Sequence, residues 1–293
     1  MRNFFIHLIA AFIPNSAKRK AFRNKWRHKV LNSDLEIISD KIDEIYHKID
    51  ENFSKTANVL ARKMTLIKND DVWTLPNGIK LYCPLYPWDL IQEIIVNTHN
   101  FFEYSILTEL RKYIPKGAVI LDIGANIGNH SVFWGSAAAK IHSFEPIRES
   151  YRMLCKNIEL NELSGVITPH NIALGDESSF GEILKARANN IGGTEVQPTL
   201  QEDCRSFRIE RLDDIDLGVE RIDFVKIDVE WYELKTLAGM RKTLEKYRPL
   251  VFIESFDVNI TKVKEFFNEL GYIEPIAFIE FNYLFLPENS PYS

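Results

Sequence analysis

The pattern of apolar and polar positions changes character along the 293 residues. It opens with an apolar run, NFFIHLIAAFI at 3–13, closed by Pro14. Further on, Leu35, Ile38, Ile42, Ile45 and Ile49 recur at alternating spacings of three and four, the seam of a helix that needs an apolar surface to face. The seam lasts about two heptads before Asn52 and Thr56 interrupt it, so a short coiled coil and a helix packed on its own domain both fit. From residue 67 short apolar runs take over. Residues 70–83 predict a hairpin turning at Asn77-Gly78, and 100–113 a helix. Beyond Pro115 the elements alternate. Strands are predicted at 119–123, 140–145, 166–172, 222–228 and 249–254, with two more at the end. Helices are predicted at 131–139, 148–160, 231–246 and 260–270. This order predicts an α/β fold with a doubly wound sheet of about seven strands. Residues 175–209 read as an antiparallel insertion above that sheet. The chain therefore divides into an amphipathic segment 1–33, a heptad-patterned helix 34–64, a lead-in 65–115 and a main domain 116–293.

Charge adds to this picture. Residues 1–30 carry eight Lys and Arg and no acid, which leaves −13 on the remainder of a chain whose total is −5. An acidic body is a poor partner for a phosphate backbone, so nucleic acid is not expected as a substrate. The apolar run is too short to span a bilayer, and its positive charge follows it rather than preceding it as in a signal peptide. An apolar plug beside basic residues suits the headgroup region of an anionic membrane face. Three cysteines, Cys83, Cys155 and Cys204, lie far apart with no C-x-x-C pair, which points to a reducing compartment rather than a disulfide framework.

The candidate chemistry begins at VILDIGANIGNH, residues 119–130. An unbroken apolar strand ends in Asp122 and a turn bounded by Gly124 and Gly128, with amides expected to be free for a ligand and Asn129 and Ser131 as helix caps. The turn is G-x-x-x-G, short of the G-x-G-x-x-G of dinucleotide sites, and no Gly-Lys-Ser/Thr follows it. Glu145, at the tip of the next strand and 21 residues after Gly124, is placed to accept hydrogen bonds from two ribose hydroxyls. A ribose acid without a pyrophosphate loop points to S-adenosylmethionine.

The set LDIGANIGNHSVFW, FEP, NIALGD at 171–176 and KIDVEWYELKTLAGM at 226–240 resembles, in that order, the FkbM family of S-adenosylmethionine-dependent methyltransferases. The resemblance implies a class I methyltransferase with a Rossmann-like sheet, acting on a hydroxyl of a sugar or other small metabolite. It implies that Asp122, Gly124, Ala125, Asn126 and Gly128 line the methionine end of the cofactor. It also implies that Glu145 holds the ribose and that Asn171 and Ala173 flank the adenine. The family usually has glycine after IDVE, where this chain has Trp231.

A sugar hydroxyl is a weak nucleophile, so a base or metal near the methyl group would help. Asp228 and Glu230, at the end of the fourth strand, would share a face if the strand continued through them. Asp228 is expected at the cofactor, and Glu230 and His130 are further catalytic candidates. Asn190, Gly192 and Gly193 in a loop, together with Trp231 and Glu254, are acceptor-side candidates. A divalent metal on these acids is not favoured, because D-x-E is a common pattern. The expected acceptor is a small molecule or glycan precursor, with a lipid or protein side chain as the alternative. A cofactor-binding interaction protein is a further alternative. The expected location is the cytoplasm, at the inner membrane face if 1–30 binds lipid, with homo-oligomer formation through 34–60.

Overall fold

Apolar runs without alternation make strands covered on both faces. β3 (Val119–Ile123) is buried at every position, and Ile120 and Leu121 enter two different cores, one on each side of the sheet. A computed structural model describes residues 71–187, 190–199, 206–279 and 281–292. The basic segment and the heptad seam lie outside the described residues. Among the described residues no helix is long and apolar enough to cross a membrane.

The main sheet has seven strands in the order β12-β13-β11-β10-β3-β4-β5. From β3 the chain moves outward through β4 (Lys140–Phe144) and β5 (Ile167–His170), then returns to the other side of β3 as β10 (Phe224–Ile227) and β11 (Leu250–Glu254). These five strands are parallel. β13 (Asn282–Phe285) lies antiparallel to β11, and β12 (Ile276–Ala277) antiparallel to β13. Where β3 and β10 adjoin, the connections leave in opposite directions, and their carboxyl ends open the crevice in which such sheets bind ligands. The helices of the main domain are α3 (Asn129–Gly135), α4 (Arg148–Leu160), α5 (Glu233–Gly239), α6 (Arg241–Tyr247) and α7 (Asp257–Glu269).

The insertion is a second sheet, β6 (Ala173–Leu174), β7 (Ser179–Arg187), β8 (Asn190–Thr199) and β9 (Phe207–Glu210), in the order β6-β9-β7-β8. Its long hairpin is antiparallel as expected. The expected loop around Asn190, Gly192 and Gly193 is a correction: all three belong to strand β8, where the β7–β8 pairing twice shifts register. Extended partners on β7 satisfy a backbone that, read alone, looked like a turn.

The lead-in forms the predicted hairpin, β1 (Val72–Thr74) with β2 (Lys80–Tyr82). The hairpin is fastened to the main domain by α4: the Lys80 amide donates to Asn161 Oδ1 at 2.9 Å and the Tyr82 amide to Asn157 Oδ1 at 2.6 Å. α1 (Leu90–Thr98) was not expected, and α2 (Tyr104–Leu110) is shorter than the predicted 100–113. Asp89 caps α1 by accepting from the Gln92 amide at 3.0 Å.

The helix predicted at 231–246 divides at Met240 into α5 and α6. Gly239 ends α5 against the backbone of Gly175, so close that a Cβ would lie 1.7 Å from the Gly175 carbonyl oxygen. Gly239→Ala should therefore destabilise by about 1–3 kcal/mol or more, as overpacking does. That corresponds to a fall in Tm of roughly 2–4 °C per kcal/mol. Gly165→Ala, with open space where the Cβ would go, should change thermal stability little. Equal melting curves for the two variants would contradict the packing.

Candidate active site

The turn after β3 is held from three sides. Gly124 has φ 77°, and a Cβ there would lie 1.7 Å from the Asp228 carbonyl oxygen, so the close approach of β10 requires glycine. Gly128 has φ 84° and abuts Leu154 of α4. Asn126, between them, has φ 50°, a conformation asparagine tolerates better than most residues. The amides of Gly124 and Ala125 both donate to the Phe144 carbonyl at 3.0 Å. The Asn126 amide donates to Glu145 Oε2 at 2.9 Å, and the Gly128 amide to the Ala125 carbonyl at 2.8 Å. The expectation of free amides is thus corrected: four of them are used inside the protein. Gly128 is the cap of α3, and Ser131 donates its hydroxyl to Asp122 Oδ2 at 2.6 Å instead of capping.

Glu145 is buried. Oε1 accepts from the Ile147 amide at 2.8 Å and Oε2 from Asn126, which leaves each oxygen a lone pair for a further donor. Burial pushes its carboxyl up to about 7, against the pull of those two amides. Asn171 closes the same corner, donating to the carbonyls of Glu145 at 2.9 Å and Pro146 at 3.0 Å. Ala173 is buried beside Ile209 and Tyr232 in a small core of its own.

Beneath the turn stands Lys226, directly opposite Asp122 in the β3–β10 register and 3% exposed. Its ammonium donates to the Gly124 carbonyl at 2.8 Å and lies 3.2 Å from Asp228 Oδ2 and 3.5 Å from Asp122 Oδ1. One carbonyl and two carboxylates thus surround the buried ammonium. Burial opposes the charge, but Asp228 and Asp122 outweigh it and raise the lysine above its ordinary range. Asp122, fully buried, acts from below the turn and not at its surface.

Asp228 is half-buried, and its carboxyl is hydrogen-bonded to that of Glu254 on the neighbouring strand. Burial pushes Asp228 up, but Lys226 and the Glu254 hydrogen bond hold it below the usual range. Glu254 moves the other way, to about 9, through burial and the charge of Asp228. Lys226 thus favours the ionised form of Asp228, whereas burial and the charge of Asp228 favour the protonated form of Glu254. Glu230 also bears on Glu254, but not by strand alternation. β10 ends at Ile227, and Glu230 and Trp231 have φ of 46° and 76°. Left-handed backbone at such residues costs on the order of 1–3 kcal/mol each, which accounts for the glycine usual in the resembled family after IDVE.

Two further groups complete the site. His130 is buried, with Nε2 3.2 Å from Glu103 Oε2 and Nδ1 3.5 Å from Asn129 Nδ2. Both ring nitrogens face protein groups. Glu103, which no motif flagged, comes from the lead-in. The Phe102 amide donates to Asn129 Oδ1, and Asn129 Nδ2 to the Phe102 carbonyl, both at 3.0 Å, which fixes that loop to α3. Lys226 was also missed, although a lone lysine inside FVKID was the available signal. Among the described residues no group of His, Cys, Asp and Glu is arranged to hold a metal ion.

The chemistry of this set fits a ligand with a positive charge and vicinal hydroxyls. Asp228 supplies an ionised carboxylate, Glu145 a hydroxyl acceptor, and the lysine is fully engaged and cannot grip a phosphate. Comparison with known proteins identifies a family. The family described as the Methyltransferase FkbM domain matches residues 122–274, just over half of the chain. Methyltransferase sdnD of Sordaria araneosa is 31% identical over 163 residues, 43% of this chain and 62% of that protein. Hexuronic acid methyltransferase AglP of Haloferax volcanii is 27% identical over 149 residues, 49% of this chain and 58% of that protein. The chain thus spans less than two thirds of the length of these relatives. Among solved structures, methyltransferase FkbM of Methylobacillus flagellatus KT is similar with a TM-score of 0.45 and 16% identity, covering 58% of this chain and 43% of that one.

Lys226→Met leaves Asp122 with an uncompensated buried charge and should destabilise by about 3–5 kcal/mol in chemical denaturation. Adding Asp122→Asn should restore much of the loss, whereas independent effects would add. The acid pair sets a pH dependence. With Glu254 at about 9 against an ordinary 4.5, the folded chain holds a proton that the unfolded chain releases. Stability from that proton is complete below the ordinary value and lost as pH rises through the folded one. Glu254→Gln cannot ionise, so it should flatten the alkaline decline in stability. An unchanged profile would remove Glu254 from the pair.

Proposed function

The chain belongs to the FkbM methyltransferase domain family, and from that premise we propose that it transfers a methyl group from S-adenosylmethionine to a hydroxyl of a sugar or glycan precursor. The observation that carries this reading is the meeting of ionised Asp228, buried Glu145 and fully engaged Lys226 at the crevice between β3 and β10. A sugar acceptor is supported by the name of one relative, a hexuronic acid methyltransferase.

S-adenosylmethionine, when bound, supplies a methyl group already activated on a sulfonium, so the chain has mainly to bind, align and remove a proton. Glu145 would accept from the ribose hydroxyls with the lone pairs its amide contacts leave. Gly124, Ala125, Asn126 and Gly128 shape the wall beside the methionine end, and Asp122 and Lys226 keep that wall in place. Asn171 and Ala173 would flank the adenine. Asp228 places negative charge near the sulfonium. It also takes the acceptor proton, which becomes strongly acidic as the new bond forms on its oxygen, so a depressed carboxylate suffices. Glu254 holds Asp228 by their hydrogen bond, and Glu230 offers an acceptor for a second substrate hydroxyl. The basic segment 1–30 would keep this domain at an anionic membrane face, where lipid-linked glycan precursors are handled.

Calorimetry should find binding of S-adenosylhomocysteine and none of NAD. Glu145→Gln removes an acceptor for charge-assisted hydrogen bonds, each worth about 1.5–3 kcal/mol, and should weaken binding accordingly. Asp228→Asn should lower turnover far more than it lowers cofactor affinity. Full activity in Asp228→Asn would place the proton transfer elsewhere. Removing residues 1–33 should leave cofactor affinity intact and abolish low-salt co-sedimentation with anionic vesicles, to which each basic residue contributes about 1 kcal/mol.

A further inference from the structure

Three aromatic side chains stand at the rim of the crevice, and neither cofactor binding nor proton transfer uses them. Trp231 lies three residues beyond Asp228, and Phe256 two beyond Glu254. Phe281 precedes Asn282, the β13 residue in register with Glu254. The indole of Trp231 stacks on Phe256, with ring centroids 4.3 Å apart and planes 14° from parallel. Phe256 meets Phe281 at 5.4 Å and 45°. Despite this contact Trp231 is 43% exposed and Phe281 42%. Both sit on left-handed backbone, with φ of 76° and 63°. A strained conformation thus holds a large apolar side chain in the open, beside the catalytic acids.

We infer that Trp231, Phe256 and Phe281 form the stacking platform for the acceptor ring, and that the acceptor is a pyranose without negative charge. The inference rests on the sugar methyl-transfer reading above and narrows it. The electron-rich face of an aromatic ring attracts the positively polarised C–H groups on the flat side of a sugar. Carboxyl groups at the edge of the platform then accept hydrogen bonds from its hydroxyls. The same carboxyls select by charge. Glu254 already carries the negative field of Asp228, Glu230 and Glu103. A carboxylate on the sugar would add to that field, and among the described residues the cation of this crevice, Lys226, is buried and already held by the Gly124 carbonyl, Asp228 and Asp122. The acceptor class therefore differs from the hexuronic acid in the name of AglP.

The test is saturation-transfer NMR on the full chain with S-adenosylhomocysteine bound, using methyl glucopyranoside, methyl galactopyranoside and glucuronate as probes. Ring C–H protons of at least one neutral glycoside should receive saturation, and glucuronate should bind far more weakly. Trp231→Ala should weaken glycoside binding up to about tenfold, the range a stacking contact accounts for, and Trp231→Phe should retain most of it. Trp231→Gly suits the left-handed backbone and so separates loss of the ring from a folding defect. The inference fails if glucuronate binds as well as the neutral sugars, if no glycoside binds, or if Trp231→Ala and Trp231→Gly bind like the wild type. Failure of the methyl-transfer reading looks different: S-adenosylhomocysteine itself does not bind.

Discussion

The structure of the site depends on one buried cation. Lys226 lies on a central strand, where a charge is costly unless it is paired on every side, and it is so paired by Asp122, Asp228 and the Gly124 carbonyl. Through these contacts it joins β3, β10 and the turn into one electrostatic unit. It also divides the acids by role. Asp122 becomes a structural counter-ion, and Asp228 stays ionised against the cost of its burial. Glu254, buried beside the charge of Asp228, is pushed toward its protonated form. Three carboxyl groups on adjoining strands thus behave differently because one ammonium touches two of them.

The sheet was legible in the sequence because buried parallel strands write themselves as apolar runs, and β3, β4, β10 and β11 stand where those runs do. Glu145 was legible for the same reason, as an acid at a strand tip at a set distance from a glycine turn. Other features depend on tertiary contact. α1 lies among prolines, though Asp89 followed by Gln92 was a capping signal that marks its start. The break at Met240 follows from the approach of Gly239 to Gly175, 64 residues away in the chain, which no local pattern carries. β8 looked like a loop because its glycines are punctuation only when no partner strand is present. The heptad and basic segments remain sequence readings, since they lie outside the described residues.

The lead-in is more than an approach to the main domain. Its hairpin rests on α4, and its 102–103 loop is clamped to α3 by Asn129, which delivers Glu103 to His130 and into the field of the rim acids. The family match begins only at Asp122. Glu103 thus reaches the site from outside the matched domain.

The glycine turn has a consequence for how such a site can change over time. Its amides hold the Phe144 carbonyl, the Glu145 carboxylate and the turn itself, so the residues that shape the pocket also hold the domain together. A substitution at 124 or 128 is a folding lesion before it is a binding lesion, and selection for stability alone would retain the motif even in a copy that no longer turned over substrate. The exposed indole of Trp231 at the rim carries no such double duty. A change at 231 alters the exposed rim without touching the hydrogen bonds of the turn.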